Sequence, residues 1–472
     1  MKLRASITLV VLLAASSVAS AQSSTRAALI VRIDSIASAP VKSGAVAGIA
    51  VAVVKGRDTL LMKGYGFADI ENQLPVTPAT VFRIGSLTKQ FTSAAVMQLV
   101  EQHIVGLDDN MNKYIPGFPT HGRTIPVRYL LNHTSGIPSY TDIGAAFGRV
   151  SREDLTPDAL ITIVANDSLQ YEPGTQFYYN NTGYFMLGMV LEKATSKKYG
   201  DYLESTLFKS AGLTQTYYCD ARRLIPHRAQ GYDRAAAGLV NTEFMSMQLP
   251  FAAGSLCSTV GDLVSWTQQL SSGRVVSEAS YREMTTPVIL ATSRPMTYGY
   301  GLTSDTVGGR RVISHGGGIN GFISFLTYVP QDSLIVAVLS NTSPAPSSAI
   351  ADAILRAVLG MPSAPAPVAL KDLPLGAAER ARYVGEYALT KPDGSRLAMR
   401  VFEKGDQLMM QPAGQPAIRM RSQGAHVFVS MDGNRLAFDI TGERAKGFMF
   451  GAGARRLEAV RSPSSRLQSN PM

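Results

Sequence analysis

Phe82-Arg83-Ile84-Gly85-Ser86-Leu87-Thr88-Lys89-Gln90-Phe91 is the stretch that decides how this chain folds. After it, Phe91, Ala95, Val96, Leu99 and Val100 recur at helical spacing, which predicts a helix from Ser86 to His103 with one face turned inward. Residues three apart on a helix are neighbours, so the Lys89 amine can lie beside the Ser86 hydroxyl. Serine is a poor nucleophile until a base removes its proton. Lysine is such a base only when burial or nearby positive charge lowers its pKa toward neutrality. The helix start also brings backbone N–H groups and a positive dipole to Ser86, where oxyanion charge would develop.

Two later segments carry compatible chemistry. Phe177-Tyr178-Tyr179-Asn180-Asn181-Thr182-Gly183-Tyr184 offers a phenol for proton transfer and an amide to hold a carbonyl, in two overlapping registers, Tyr178/Asn180 and Tyr179/Asn181. Taken alone, it also reads as a tyrosine-rich turn over a core. Ser314-His315-Gly316-Gly317-Gly318, followed by Asn320-Gly321-Phe322, lets a strand edge come close to a ligand and donate N–H groups. By itself it also reads as a glycine-rich bulge with a surface histidine.

In this order, Ser-x-x-Lys, Tyr-x-Asn and His-Gly-Gly resemble the serine β-lactamase-related, penicillin-binding protein-like family, most closely its class C β-lactamase, DD-peptidase and family VIII esterase group. Phe82 to Gly85, the run Leu130-Leu131-Asn132-His133-Thr134-Ser135-Gly136, and Gly254-Ser255-Leu256-Cys257-Ser258-Thr259 with Asp262 and Trp266 fit the same group. The resemblance covers about residues 40–360. It implies that Ser86 is the nucleophile, Lys89 its activating partner and Tyr179 the acid/base group. It further implies that Asn181 and Gly317 contact substrate and that the N–H groups of Ser86 and Gly318 form the oxyanion hole. His315 would act near the substrate's anionic end. Whether Lys89 or Tyr179 takes the first proton stays open. Where many β-lactamases carry a lysine, this chain has His315, mostly neutral at pH 7, which counts against strong β-lactamase activity.

The expected function is an exported serine hydrolase forming an acyl-enzyme on an amide or ester: a DD-peptidase (carboxypeptidase), a D-amino peptide hydrolase, an esterase or a weak β-lactamase. The competing reading is a penicillin-binding sensor that acylates without turning over. Neither needs a metal or cofactor. His133 has no acid or serine partner at readable spacing, so a loop role is expected. There is no Gly-x-Ser-x-Gly elbow, His-Glu-x-x-His or phosphate-binding glycine loop.

Outward from these motifs, residues 45–68 read as a β-hairpin turning at Lys55 to Asp58. A second helix is expected from Thr182 to Lys193. Strands follow at Arg311–Ser314, Phe322–Val329 and Ser333–Ser340, then an amphipathic helix from Ser347 to Leu359. Strands at both ends with helices between predict an α+β unit: an antiparallel sheet flanked by helices, with a helical subdomain, of the β-lactamase/transpeptidase type that the resemblance implies. The organisation expected is a leader over 1–21, this unit over 22–361, a proline-rich linker over 362–374 and an all-β domain over 375–472. The last contains six short alternating segments, at 383–388, 397–403, 407–411, 426–430, 435–440 and 447–450, and predicts a small barrel or sandwich. Its Tyr383-Val384-Gly385-Glu386-Tyr387 resembles the lipocalin-like domain often appended to such hydrolases.

Lys2 and Arg4, the apolar Ile7 to Ala15 and the small residues Ala19-Ser20-Ala21 read as an export signal with the mature chain starting at Gln22, in the periplasm or outside the cell. Of the net charge of +10, the part from Ala366 onward carries +6, from 16 Lys and Arg against 10 Asp and Glu. That reads as a solvated face or as a surface for association with the cell envelope. The cations are scattered, which argues against nucleic acid, and no obligate protein partner is expected. Cys219 and Cys257 fit either a disulfide of an exported protein or two separate buried thiols.

Overall fold

Gly48-Ile49-Ala50-Val51-Ala52-Val53-Val54 is apolar at every position, as a strand must be when both its faces are covered. In the computed structural model it forms β1 (Gly48–Lys55), buried along its length up to Lys55. The structure describes residues 25–143, 146–165, 168–235, 237–291, 296–364, 371–390, 396–412, 417–430, 434–451 and 457–462. The expected leader lies outside them, as do residues 365–370 of the proline-rich stretch. The chain divides into two units, 1–364 and 365–472.

The site of the larger unit is carried by the following elements. In chain order they are β1, β2 (Asp58–Asp69), β3 (Leu74–Pro75), α1 (Thr88–Glu101), α2 (Asn181–Thr195), β4 (Tyr232–Ala235), β5 (Gly238–Asn241) and α3 (Val260–Ser271). They continue with β6 (Thr303–Val307), β7 (Arg310–Ile319), β8 (Phe322–Val329), β9 (Leu334–Ser340), β10 (Thr342–Ser343) and α4 (Ser347–Val358). A seven-stranded sheet runs β3-β2-β1-β9-β8-β7-β6, and the pairs through its centre are antiparallel. Because side chains alternate across a strand, β1 feeds two cores. Ile49, Val51 and Val53 pack with Ile33 and Ala37 of the helix over 25–42 and with Ile350 and Ile354 of α4. Ala50, Ala52 and Val54 face the main core with Phe91, Leu263 and Trp266.

The predicted helix at Ser86 starts later than expected. Gly85–Leu87 is a single tight turn, and α1 proper begins at Thr88. Cys219 and Cys257 are joined in a disulfide. Closing that loop stabilises the fold by about 4 kcal/mol in the chain-entropy model.

The smaller unit is a closed eight-stranded barrel: β11 (Gly385–Thr390), β12 (Arg396–Lys404), β13 (Gln407–Pro412), β14 (Ile418–Gly424), β15 (Val427–Ser430), β16 (Arg435–Asp439), β17 (Gly447–Phe450) and β18 (Leu457–Arg461). The sequence reading located six of these strands and passed over β14 and β18. In β14 the inward residues are Met420 and Ser422, and in β18 only Ala459 is buried. Small or polar inward residues erase the alternation that announces a strand.

Candidate active site

Lys89 sits on the first turn of α1 with no exposed surface. Its Nζ lies 3.1 Å from Ser86 Oγ, 2.8 Å from Asn181 Oδ1 and 2.9 Å from the Ala253 carbonyl oxygen. No carboxylate pairs with it among the described residues, and burial holds its pKa well below the ordinary 10.5. The carbonyl it meets is held in place from α1. Thr92 Oγ1 donates to the Ala252 carbonyl at 2.7 Å, and Thr88 Oγ1 accepts the Leu256 N–H at 3.1 Å.

Of the two tyrosine registers, geometry selects Tyr179/Asn181. Asn180 is spent as the cap of α2, its side chain accepting the Gly183 N–H at 2.8 Å. Tyr178 points elsewhere and donates to Asp142 Oδ2 at 2.7 Å. The Tyr179 ring centroid stands 4.8 Å from Lys89 Nζ. Although 37% of Tyr179 is open to solvent, protein crowds its phenol and pushes its pKa above the ordinary 10, and a hydrogen bond with Ser86 only partly opposes this. The phenol keeps its proton.

The glycine strand lies where an oxyanion donor must be. β6 pairs with β7 only as far as Ser314, so residues 315–319 have a free edge on that side. Ile319 and Phe322 pair across the two-residue turn Asn320-Gly321, so the antiparallel alternation points the backbone groups of Gly318 away from β8. They face Gly85: a Cβ added there would meet Gly318 N and O at 2.9 Å. A Cβ at Gly317 would come within 2.0 Å of the Ile84 carbonyl oxygen, so no larger residue fits without moving the strand.

His315 lies beside Tyr179, with 6.2 Å between the ring centroids, and its own ring is turned into the protein. It is buried at 6% exposure, and both ring nitrogens are engaged inside the protein. Nδ1 faces the Gly316 carbonyl at 2.6 Å and must donate, so Nε2 accepts from the Tyr298 hydroxyl at 2.9 Å. Burial is the main cause that pushes its pKa down to about 3. It is a neutral prop for the glycine strand and offers no charge to an anionic substrate group.

His133 has a larger part than its loop position promised. Its backbone is left-handed at φ 62°. Its buried Nδ1 accepts the Asn180 N–H at 3.0 Å, which fixes the turn between Tyr179 and Asn181. The other nitrogen has no hydrogen-bond partner and lies among the rings of Phe177, Tyr179, Tyr184 and Tyr298. Burial holds the pKa of this ring well below the ordinary 6.5 as well. Other contributors escaped the sequence reading. The Ala253 carbonyl is backbone and leaves no side-chain signature, and Ser139, whose Oγ accepts the Asn181 N–H at 3.3 Å, sits in a loop without a motif.

Ser86, Asn181 and Gly318 open onto one cleft of about 360 Å³, also lined by Leu249, Met245 and Asp233. A half-buried hydroxyl on the cleft, a buried amine of lowered pKa and a protonated phenol beside it, and strand-edge N–H groups are the parts of an acyl-transfer site.

A sequence-family profile described as Beta-lactamase matches residues 33–361. Penicillin-binding protein 4* of Bacillus subtilis is 28% identical over 436 residues, covering 87% of this chain and 94% of that protein. A D-aminopeptidase of Gluconobacter oxydans is 28% identical over 67% of this chain, which spans 60% of that relative's length. Among solved structures, the octameric penicillin-binding protein homologue from Pyrococcus abyssi has a TM-score of 0.62 at 26% identity, covering 89% of this chain and 97% of that one. The D-amino acid amidase from Ochrobactrum anthropi SV3, complexed with D-phenylalanine, has a TM-score of 0.63 at 27% identity, covering 70% and 99%.

Proposed function

The chain belongs to the Beta-lactamase family, and from that premise we propose that it is an exported serine hydrolase that opens amide bonds through an acyl-enzyme on Ser86. The observation that carries this reading is the count of groups around Lys89. A neutral amine has two N–H donors and one lone pair. The Asn181 and Ala253 oxygens only accept, and they take the two donors. In the neutral form that we take to be the reactive one, the lone pair is left for the Ser86 hydroxyl at 3.1 Å. On this reading the first proton transfer falls to Lys89. Tyr179, which keeps its proton, suits the opposite task.

In the sequence we propose, Lys89 takes the Ser86 proton as Oγ attacks the substrate carbonyl carbon, and the carbonyl π electrons move onto oxygen. The N–H groups of Ser86 and Gly318 hold that oxyanion. Its collapse expels the amine, which takes a proton from the Tyr179 phenol, and the Lys89 ammonium returns a proton to Tyr179. Water then attacks the ester, giving a proton to Lys89 that finally returns to Ser86, so each group ends as it began. The names of two relatives, a D-aminopeptidase and a D-amino acid amidase, favour amides of D-amino acids as substrates. Export is supported by the Cys219–Cys257 bridge, which is at home in an oxidising compartment.

The test is labelling of the full chain with a fluorophosphonate, beside Ser86→Ala, together with steady-state rates on D-amino acid amides. Labelling confined to the wild type, with continuing turnover, is expected. Equal labelling of both proteins overturns the assignment of Ser86, and a burst without a steady state makes the protein a sensor.

A further inference from the structure

We infer that Asp233 is the ammonium subsite of this cleft, and that the substrate class is an amide whose acyl part carries a free, positively charged amino group. The inference rests on the hydrolase reading above and narrows it.

Among the described residues lining the cleft, Asp233 bears the one charged side chain; its companions there are apolar or neutral, such as Met245, Leu249, Ile323 and Asn320. It takes part in none of the ion pairs among the described residues. Its neighbour Arg234 projects to the opposite face of β4, as strand alternation requires. A carboxylate on a cleft wall otherwise without charge is a ready partner for a cation.

The mounting is rigid. β4 begins at Tyr232, whose N–H donates to the Asn341 carbonyl at 3.0 Å and whose hydroxyl accepts the Ile70 N–H at 2.8 Å. Asp233 lies opposite Ser343 in the parallel pair β4–β10 and opposite Val240 in the antiparallel pair β4–β5. Thr242 Oγ1 donates to its Oδ2 at 2.7 Å, which orients the carboxylate. Two residues upstream, Gly231 packs against Gly321 so closely that a Cβ at Gly321 would meet Gly231 Cα at 2.7 Å. Gly321 is the turn between β7 and β8, so Asp233 is clamped to the hairpin that carries Gly318. The carboxylate and the oxyanion donor are thereby parts of one frame.

The same charge pattern works against other substrates of this kind of site. A penicillin or a peptide with a free C-terminus brings a carboxylate. The described cleft lining offers that group no lysine or arginine, Lys89 has no exposed surface, and both ring nitrogens of His315 are engaged inside the protein. Asp233 adds repulsion. A substrate with an ammonium near its scissile carbonyl gains an attraction that an acylated amine does not.

The experiment compares D-phenylalaninamide with N-acetyl-D-phenylalaninamide on the full-length protein, by hydrolysis and by calorimetric binding to the Ser86→Ala variant. The free amine should be favoured by about 10- to 100-fold, the range of a charge-assisted hydrogen bond. Asp233→Asn should bring the ratio toward one, Asp233→Lys should invert it, and Asp233→Glu should keep most of it. A wild-type ratio near one, or a ratio that Asp233→Asn leaves unchanged, overturns the inference. Binding to Ser86→Ala does not require hydrolysis, so a preserved preference without turnover would sink only the hydrolase reading, and turnover without preference only the subsite.

Discussion

The two units bury polar groups in opposite ways. Inside the barrel stand Val401, Leu408, Met410, Phe428, Leu436 and Phe448, and the phenols that go inward find partners at once. Tyr387 donates to the Tyr383 carbonyl at 2.6 Å, and Tyr383 meets His426 Nδ1 at 2.8 Å. The larger unit buries Lys89 with no carboxylate against it, and His133 with one nitrogen facing only rings. Such choices lower stability. These two stand side by side next to one cleft, while other unpartnered buried atoms, such as Asn112 Oδ1 or Arg419 Nε of the barrel, lie elsewhere. A buried amine and a buried imidazole at a nucleophilic serine are departures of the kind expected at a site of chemistry.

Substitutions can break or sharpen this contrast. Ser86→Ala has the largest expected effect: a fall in turnover of about 10⁴-fold or more with an unchanged melting temperature, read by steady-state kinetics and calorimetry. Lys89→Arg comes next, since a guanidinium cannot give up its proton, and about 10³-fold is expected in kcat. If Lys89→Arg keeps turnover, the reason offered for burying the amine is gone.

Gly317→Ala should cost about 2 to 4 kcal/mol, because its methyl group meets the Ile84 carbonyl, and should slow turnover more than tenfold by displacing Gly318. Denaturant melts and kcat read the two effects. His133→Ala should lower kcat about tenfold with little change in KM, since it removes the acceptor of the Asn180 N–H that sets the tyrosine turn. At the bottom of the scale, Phe438→Ala should cost the barrel about 3 to 5 kcal/mol and leave turnover untouched. A loss of turnover there would show that the two units are not separate in function.

What was legible in the sequence follows the same division. Ser86 and Lys89 could be read because their relation is local: one turn of helix fixes it. The central strands could be read because β1 and β9 are apolar throughout and β8 alternates. β6, Thr-Ser-Asp-Thr-Val at the sheet edge, carries no such signal, and neither do β14 and β18. The resemblance pointed to Tyr179 and Asn181, but the residues alone left the register open, because Asn180 and Asn181 differ only in what lies across from them, a helix end or a lysine. The surroundings of His315 were not legible, because the sequence names the residue and not the Tyr298 hydroxyl that meets its ring. Asp233 had no motif at all, since its meaning comes from being the one charged side chain among the described residues that line the cleft.

The central claim is that burial keeps the Lys89 amine neutral so that it can take the Ser86 proton. The deprotonated amine is the active form, so reactivity must be lost as pH falls through the lowered pKa of Lys89 and be present above it. The direct measurement is the rate of fluorophosphonate labelling of Ser86 across about pH 4 to 11. A rate that rises to its plateau well below 10.5 is the predicted result; a rate still climbing through 10.5, as for an ordinary exposed lysine, would contradict it.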